Sequence, residues 1–460
     1  MGKTILLAHR VRCQESFDLG VKSVIPMVIA ICHFRYGMLD GVSLEMEKWK
    51  RALERLGHRV AIIAGEDPTG EATVIPEISI AGAEGIRRDA FTALSRTPRE
   101  LTAEIERKAE RIAEILIETL QRERAELLII ENIWSLPINI PAALAFLRAV
   151  DTLGLPVVAH HHDFWWERDI YSPTCGEVEA LLGEMFPPAH PRAVHVVINS
   201  LAQAELQRRR GLRAEVVPNV IDFDAPWGVD ELNASLREDL GLAPEDIVFL
   251  QATRVVRRKG IEIAIDLVHR FQAEVLPSLR IPGKGRRVVL FLPNLIEDPD
   301  YHGALLRRAE RLGVEAVFVP DRFGAERAKA DGKKVYSLWD AYTIADFVTY
   351  PSLYEGFGNQ FLEAVVARLP LVVFEYPVFA ADIAPLGFRY VSLGREYHRD
   401  EEGLARVPEE VIRRAAREVG EILADEPRRR EMVEHNFALG REHFSLKRLE
   451  RELSALLRTF

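Results

Sequence analysis

Three cysteines in 460 residues, at positions 13, 32 and 175, are too few and too scattered for a disulfide framework. None forms the Cys-x-x-Cys pair of a zinc site, and a reducing cytoplasm suits the chain. Positive charge is also short: 60 Lys and Arg against 70 Asp and Glu leave a formal net charge of −10. Without a basic footprint the chain is not expected to bind nucleic acid. Long apolar runs are missing. The one near the start, over residues 24–34, is interrupted by Pro26 and is too short to cross a bilayer. No sequence of basic start, apolar stretch and small-residue cleavage site marks a signal peptide. An integral membrane segment is therefore not expected, although an amphipathic helix lying on a membrane surface stays open. Methionine, with 6 residues, is scarce beside abundant Arg and Glu, a bias found in some thermophile proteins.

What is present has the composition of a folded globular protein, 48% apolar and 28% charged, and the length favours two or three domains. Short apolar runs alternate with amphipathic stretches, the pattern of β-α units around a parallel sheet. Strands are predicted over 24–32, 59–64, 127–131, 156–160 and 194–199, with a helix over 43–56 that Gly57 stops. From 222 to 246 the rhythm breaks, with Pro226, Gly228, Gly241 and Pro244 among polar residues, as in a linker. Strands are predicted again over 247–253, 287–292, 316–319, 347–350 and 371–374. Two α/β domains of similar size, hinged near 222–245, are the natural reading. Beyond about residue 408 the chain is helical and strongly charged, and no repeat or low-complexity tract is visible. The Arg208–Arg210 and Arg428–Arg430 runs fall in helical segments and read as solvated faces.

Four stretches carry chemistry. In Pro351-Ser-Leu-Tyr-Glu355-Gly356-Phe357-Gly358-Asn359-Gln360-Phe-Leu-Glu363-Ala, glycines stand between a strand and an apolar helical run. Such a turn lets backbone approach a ligand, and the new helix aims free N–H groups at an anion. Two carboxylates eight positions apart would lie about 12 Å apart along a helix, too far for a glycosidase pair and suited to two ends of an elongated ligand. In Gln251-Ala-Thr-Arg254-Val-Val-Arg257-Arg258-Lys259-Gly260, Arg and Lys can neutralise a departing diphosphate. The strand over 156–160 runs into His161-His162-Asp163. Adjacent strand residues point to opposite faces, so neighbouring histidines converge poorly on one ion, and no metal site is expected. The turn Gly37-Met-Leu-Asp40-Gly41-Val-Ser43 leads into the first predicted helix. Gly2-Lys3-Thr4 and Gly283-Lys284-Gly285 lack the strand-then-helix context of a phosphate loop.

Glu355 and Glu363 form an E-x7-E motif, and the surrounding residues resemble the retaining glycosyltransferases of family 4, which have the GT-B fold. The resemblance implies that Glu355 bonds hydroxyls of the donor sugar and Glu363 holds the nucleotide ribose, with 356–360 around the donor. Asn359-Gln360 departs from the apolar residue usual there, which leaves the sugar open. Arg254 and Lys259-Gly260 match the spacing of the family's Arg and Lys-Gly, which bind the donor pyrophosphate. By the same resemblance His162, followed by Asp163, faces the reacting sugar. Gly41 fits the second glycine of a loop over donor and acceptor, with Asp40 replacing the first. Arg257 is an extra charge able to meet an anionic acceptor. Val217-Pro-Asn219-Val-Ile-Asp222, Leu56-Gly57-His58-Arg59-Val60 and Ala345-Asp346 are further matches.

The resemblance spans about residues 25–455 and implies an α/β protein with two Rossmann-like parallel-sheet domains, a cleft between them, and a C-terminal helix crossing back to the first domain. The corresponding units are 1–222 for the acceptor, 223–435 for the nucleotide sugar and 436–460 for the returning helix. The function implied is metal-independent, cofactor-free transfer of a hexose, with retention, from a nucleotide-diphosphate sugar. The acceptor is a hydroxyl of a small soluble molecule such as a sugar, a glycerate-type or a phosphorylated compound. A lipid or polysaccharide acceptor at a membrane surface is the alternative, with Arg208–Arg210 in its favour. Nucleotide-sugar epimerases of this fold lack the Glu355/Glu363 pattern, and a non-enzymatic sensor would usually lose Arg254, Lys259 or Glu355. Base, linkage and oligomeric state, a homo-oligomer included, stay open. Glu355→Ala and Lys259→Ala are expected to collapse turnover with the fold intact.

Overall fold

The computed structural model describes residues 26–460 apart from 39, 226, 227, 282, 286, 325 and 331. Cys13, Gly2-Lys3-Thr4, Pro226 and the beginning of the strand predicted over 24–32 lie outside the described residues. The first sheet holds β1 (Val28–His33), β2 (Arg59–Ala64), β3 (Thr73–Val74), β4 (Leu127–Glu131), β5 (Val157–His161), β6 (Ala193–Val197) and β7 (Ala214–Val216). They are all parallel, in the order β3-β2-β1-β4-β5-β6-β7. The second domain opens with β8 (Ile247–Leu250), β9 (Val288–Leu292) and β10 (Glu315–Phe318), followed by a small sheet of β11 (Phe323–Gly324), β12 (Ala328–Ala330) and β13 (Lys333–Ser337). It closes with β14 (Phe347–Tyr350), β15 (Leu371–Val373) and β16 (Val391–Ser392), giving a second parallel sheet in the order β10-β9-β8-β14-β15-β16. Both are Rossmann orders, and the chain has the GT-B architecture.

Helices cover both faces of each sheet, so the strands must be apolar throughout rather than alternating. Every residue of β4, Leu-Leu-Ile-Ile-Glu, and of β9, Val-Val-Leu-Phe-Leu, is buried. The strand predicted over 156–160 lies one residue later. Pro156 offers its carbonyl to Leu128 N at 3.0 Å but has no N–H for the ladder. The predicted linker is mostly packed structure. Leu236 and Leu242 are buried in a core cluster of the second domain, and Asn233 bonds Gly228 O at 2.8 Å and Asp340 Oδ1 at 2.7 Å. The crossing itself is near Ile221, whose N–H donates to Phe444 O at 2.8 Å beside the returning chain.

Beyond residue 408 come helices Glu409–Ala424, Glu426–Phe444 and Leu446–Leu457. The last buries Leu446, Leu449, Leu453, Leu456 and Leu457 against Met46, Trp49 and Leu53 of helix Gly41–Arg55. Each fully buried leucine contributes about 1.5–3 kcal/mol relative to exposure, enough to hold the returning helix on the first domain. Among the described residues no helix is long and apolar enough to cross a membrane. In the 208–210 run, Arg208 and Arg209 pair with Glu205, and Arg210 donates to the carbonyls of Glu184 and Pro187. One carboxylate thus offsets three guanidiniums only in part, and the exposed Arg208 and Arg209 keep the run net positive.

Candidate active site

In an open α/β sheet a ligand crevice forms at the carboxyl ends of the strands where their order reverses. That point lies between β1 and β4 in the first sheet and between β8 and β14 in the second. The 251–260 stretch follows β8, the 351–363 stretch follows β14, and His162 and Asp163 follow β5. Asp40 and Gly41 follow β1.

The two motifs of the second domain are built against each other. Gly260, at φ +59°, lies where a Cβ would sit 2.3 Å from Pro351 O, so only glycine lets the two loops touch. Leu353 N donates to Arg258 O at 2.8 Å. This contact delivers Lys259 Nζ to Glu355 Oε1, while Arg258 Nη1 reaches Glu355 Oε2 at 2.5 Å. Burial would lift the Glu355 carboxyl, but Lys259 and Arg258 hold it below its ordinary value. Arg254 lies apart, half exposed on Glu297, and Arg257 sits 3.5 Å from Asp298 and over the Tyr301 ring. Gly358 caps helix Asn359–Val366 at φ +127°, with Tyr376 Oη only 2.1 Å from where a Cβ would stand. Glu363 is half-buried on that helix, accepts Tyr342 Oη–H at 2.6 Å, and is raised by partial desolvation of its carboxyl.

The first domain meets this loop directly. Asn199 Nδ2 donates to Gly356 O at 2.8 Å, Asn219 Nδ2 to Asn359 Oδ1 at 3.0 Å, and Ser200 N to Asp382 Oδ2 at 2.7 Å. His162 O lies 3.5 Å from the Cβ position of Gly356, so the His162 loop packs against the Glu355 loop. Asp163 bonds Asn132 Nδ2 at 3.2 Å and pairs with Arg168. Asp40 is the N-cap of helix Gly41–Arg55, accepting Val42 N at 3.1 Å and Ser43 N at 3.2 Å, with Arg35 at 3.1 Å. A cavity of about 530 Å³ opens beside Glu363. One wall is Leu44, Glu47, Lys48 and Arg51, the other Asn359, Leu362, Glu363 and Val366, each set spaced along one helix face. Lys48 was not singled out in the sequence; it pairs with buried Glu45 and donates to Val220 O at 2.5 Å. Only its place on the helix face shared with Leu44 and Arg51 could have pointed to it.

Side-chain alternation separates His161, which turns to His195 Nδ1 at 3.0 Å, but it also puts His160 and His162 on one face. With Glu131 they offer ligand atoms within 4.8 Å of one another, the one such group among the described residues. The fit to an ion is poor. A metal-bound imidazole normally gives its second N–H to an outer partner, and His160 Nε2 has none. His160 Nδ1 and His162 Nε2 instead meet the same carboxylate oxygen at 2.9 and 2.8 Å.

Comparison with known proteins agrees with this fold and gives the family. The Glycosyltransferase Family 4 model matches residues 40–225. A mannosylglucosylglycerate synthase of Thermotoga maritima is 41% identical over 440 residues, covering 93% of this chain and 99% of the relative. A mannosylglucosylglycerate synthase of Petrotoga mobilis is 40% identical over 438 residues, covering 92% and 99%. Among solved structures, sucrose-phosphate synthase from Thermosynechococcus elongatus matches in fold with a TM-score of 0.59 at 15% identity, over 94% of this chain and 98% of that one.

Proposed function

Since the chain belongs to Glycosyltransferase Family 4, we propose that it transfers a hexosyl group, with retention, from a nucleotide-diphosphate sugar to a hydroxyl of a small glycerate-type acceptor. The name shared by the two curated relatives supports a mannosyl donor and a glucosylglycerate acceptor as the pair to test first. The observation that supports the reading is that Glu355 pairs with Lys259 and Arg258 on a loop packed against the His162 loop of the other Rossmann-like domain.

In this reading the donor diphosphate lies between Arg254, Lys259 and the backbone amides that follow Gly358. Glu355 accepts from hydroxyls of the sugar and Glu363 from the ribose, with the nucleoside in the cavity beside it. His162 and Asp163 face the reacting sugar, and the Asp40-Gly41 turn and Arg257 lie towards the acceptor. As the bond from the anomeric carbon to phosphate breaks, charge grows on the leaving oxygen, where fixed cations stabilise it most. The acceptor oxygen attacks from the same face and passes its proton to the departing phosphate. No metal ion is needed when Arg and Lys fill that role. Inter-domain bonds such as Asn199 to Gly356 O keep water from the donor. A cytoplasmic setting, with Cys32 and Cys175 free, fits this chemistry.

The test is a thermal-shift screen against GDP-, UDP- and ADP-sugars with and without EDTA, followed by NMR of the product formed from GDP-mannose and glucosylglycerate. A shift with one nucleotide that EDTA leaves unchanged, and an anomeric configuration equal to the donor's, is expected. Loss of the shift with EDTA would sink the metal-free mechanism, and an inverted product would sink retention.

A further inference from the structure

Glu131 closes β4 with a carboxylate that has no exposed surface, and no Lys or Arg is bonded to it among the described residues. A lone buried charge of this kind needs a proton-bearing partner. His162 Nε2 supplies it at 2.8 Å on Oε2, and His160 Nδ1 lies 2.9 Å from the same oxygen without hydrogen-bond geometry. The His160 ring is pinned from behind, its centroid 4.3 Å from that of Trp49. His33 Nδ1 lies 2.8 Å from Glu131 O and ties the end of β1 to the same point.

The next residue adds a second hold. Asn132 has φ +56°, a left-handed conformation that residues other than glycine rarely adopt and that clusters at functional sites. That turn aims its side chain at β5. Asn132 Oδ1 accepts His162 N at 2.8 Å and Ser135 Oγ–H at 3.1 Å, and Nδ2 donates to Asp163 Oδ1 at 3.2 Å. Asn132 N donates to His160 O at 2.9 Å. The ring and the backbone of His162 are thus fixed by consecutive residues of a neighbouring strand.

We propose that Glu131 and Asn132 are positioning residues for glycosyl transfer: Glu131 holds the His162 ring through Nε2 and Asn132 holds its backbone, leaving Nδ1 for the reacting sugar. The assignment rests on the placement of His162 at that sugar. The two imidazoles are not equivalent. Burial lowers His160, while for His162 the pull of Glu131 outweighs burial and raises it, so His162 takes up a proton more readily than His160.

The experiment compares E131Q, N132G, N132D and H162A with the wild-type chain, using GDP-mannose with glucosylglycerate for turnover and GDP for binding. Glycine accepts the φ of Asn132, so N132G removes the side-chain hold without disturbing the turn, and it carries the test if E131Q does not fold. E131Q and N132G are each expected to lower kcat about 10- to 100-fold, the usual loss when an outer partner of a functional histidine is removed. The KM for donor and the Kd for GDP should stay within about 3-fold. N132D keeps an oxygen for His162 N but sets a second carboxylate against Asp163, so it should recover only part of kcat. A dead H162A beside E131Q and N132G of normal kcat would overturn the proposal. A normal H162A would instead overturn the reading on which it rests. One equivalent of tightly held divalent metal, lost with activity on chelation, would make the cluster a cation site and overturn the proposal as well.

Discussion

Removing the Glu355 carboxylate should cost stability as well as turnover. In the folded chain Lys259 is only 3% exposed and its ammonium rests on Glu355, with Arg258 on the other oxygen. Glu355→Ala leaves two cations side by side, one with no route to water. Breaking a buried ion pair from one side costs about 3–5 kcal/mol, and Arg258, more than a third exposed, can turn outward and hold the loss near the lower end. For a domain of about 200 residues that is a fall in Tm of roughly 6–20 °C. The sequence alone suggests a variant that loses activity and keeps its fold; the burial of Lys259 adds the stability cost.

The assay is calorimetry on wild type, E355A, K259M and the double variant, each with and without GDP. E355A should melt lowest, and the double variant should return to within about 1 kcal/mol of wild type, because replacing both partners removes the stranded charge. The diphosphate of GDP offers Lys259 a new counter-charge, so GDP should raise the Tm of E355A more than that of wild type. Two results would refute the reasoning: an E355A protein as stable as wild type, or a double variant less stable than E355A.

Gly358→Ala places a side chain at φ +127° and a methyl 2.1 Å from Tyr376 Oη, whose own bond to Phe357 O must then move. The expected loss is about 2–4 kcal/mol in thermal denaturation, part of it recovered by Tyr376→Phe, which removes the clashing hydroxyl. Glu167 should make stability fall as pH rises. Partial desolvation of its carboxyl beside Phe164 N lifts Glu167 from the ordinary 4.5 to about 7, with Asp163 adding to the effect. The residue is largely exposed, so solvent screening keeps the effect on stability small. The folded state therefore keeps the proton that the unfolded chain has lost. The protein gains from this below the unfolded value and loses it as pH rises through the folded one. Glu167→Gln should flatten the change in Tm between about pH 5 and pH 8, and an unchanged slope would show that Glu167 titrates normally.

How much of this was readable depends on what writes a local pattern. The strands over 127–131 and 347–350 were placed to the residue, because burial on both faces demands an uninterrupted apolar run. Gly260 and Gly358 announce a close approach by their identity alone, although the atoms they approach, Pro351 O and Tyr376 Oη, lie too far along the chain to be seen. Glu131 left no such mark. A charged residue ending an apolar strand reads as a terminator. Its meaning comes from the pairing of β4 with β5, which sets Glu131 opposite His160, and no spacing in the sequence fixes that register. Lys48 is hidden for the same reason, since it faces a helix more than 300 positions away.

The basic stretch shows where spacing and geometry diverge. Arg254 and Lys259 have the separation expected of a phosphate-binding pair, yet it is Arg258 that joins Lys259 on Glu355, because residues 257–259 form one turn of 3-10 helix ahead of Gly260. Arg254 is held by Glu297 and Arg257 by Asp298. Every cation of the stretch thus has a carboxylate partner before any phosphate arrives. On the proposed function, donor binding would be an exchange of partners, in which the diphosphate competes with Glu297 at Arg254 and with Glu355 at Lys259. The exposed half of that exchange is screened by salt, whereas the buried half is not. Under the same proposal the affinity of the site would be set by the difference between two sets of ion pairs, and Glu355, freed from Lys259 by the diphosphate, would become available to the sugar only when the donor is in place.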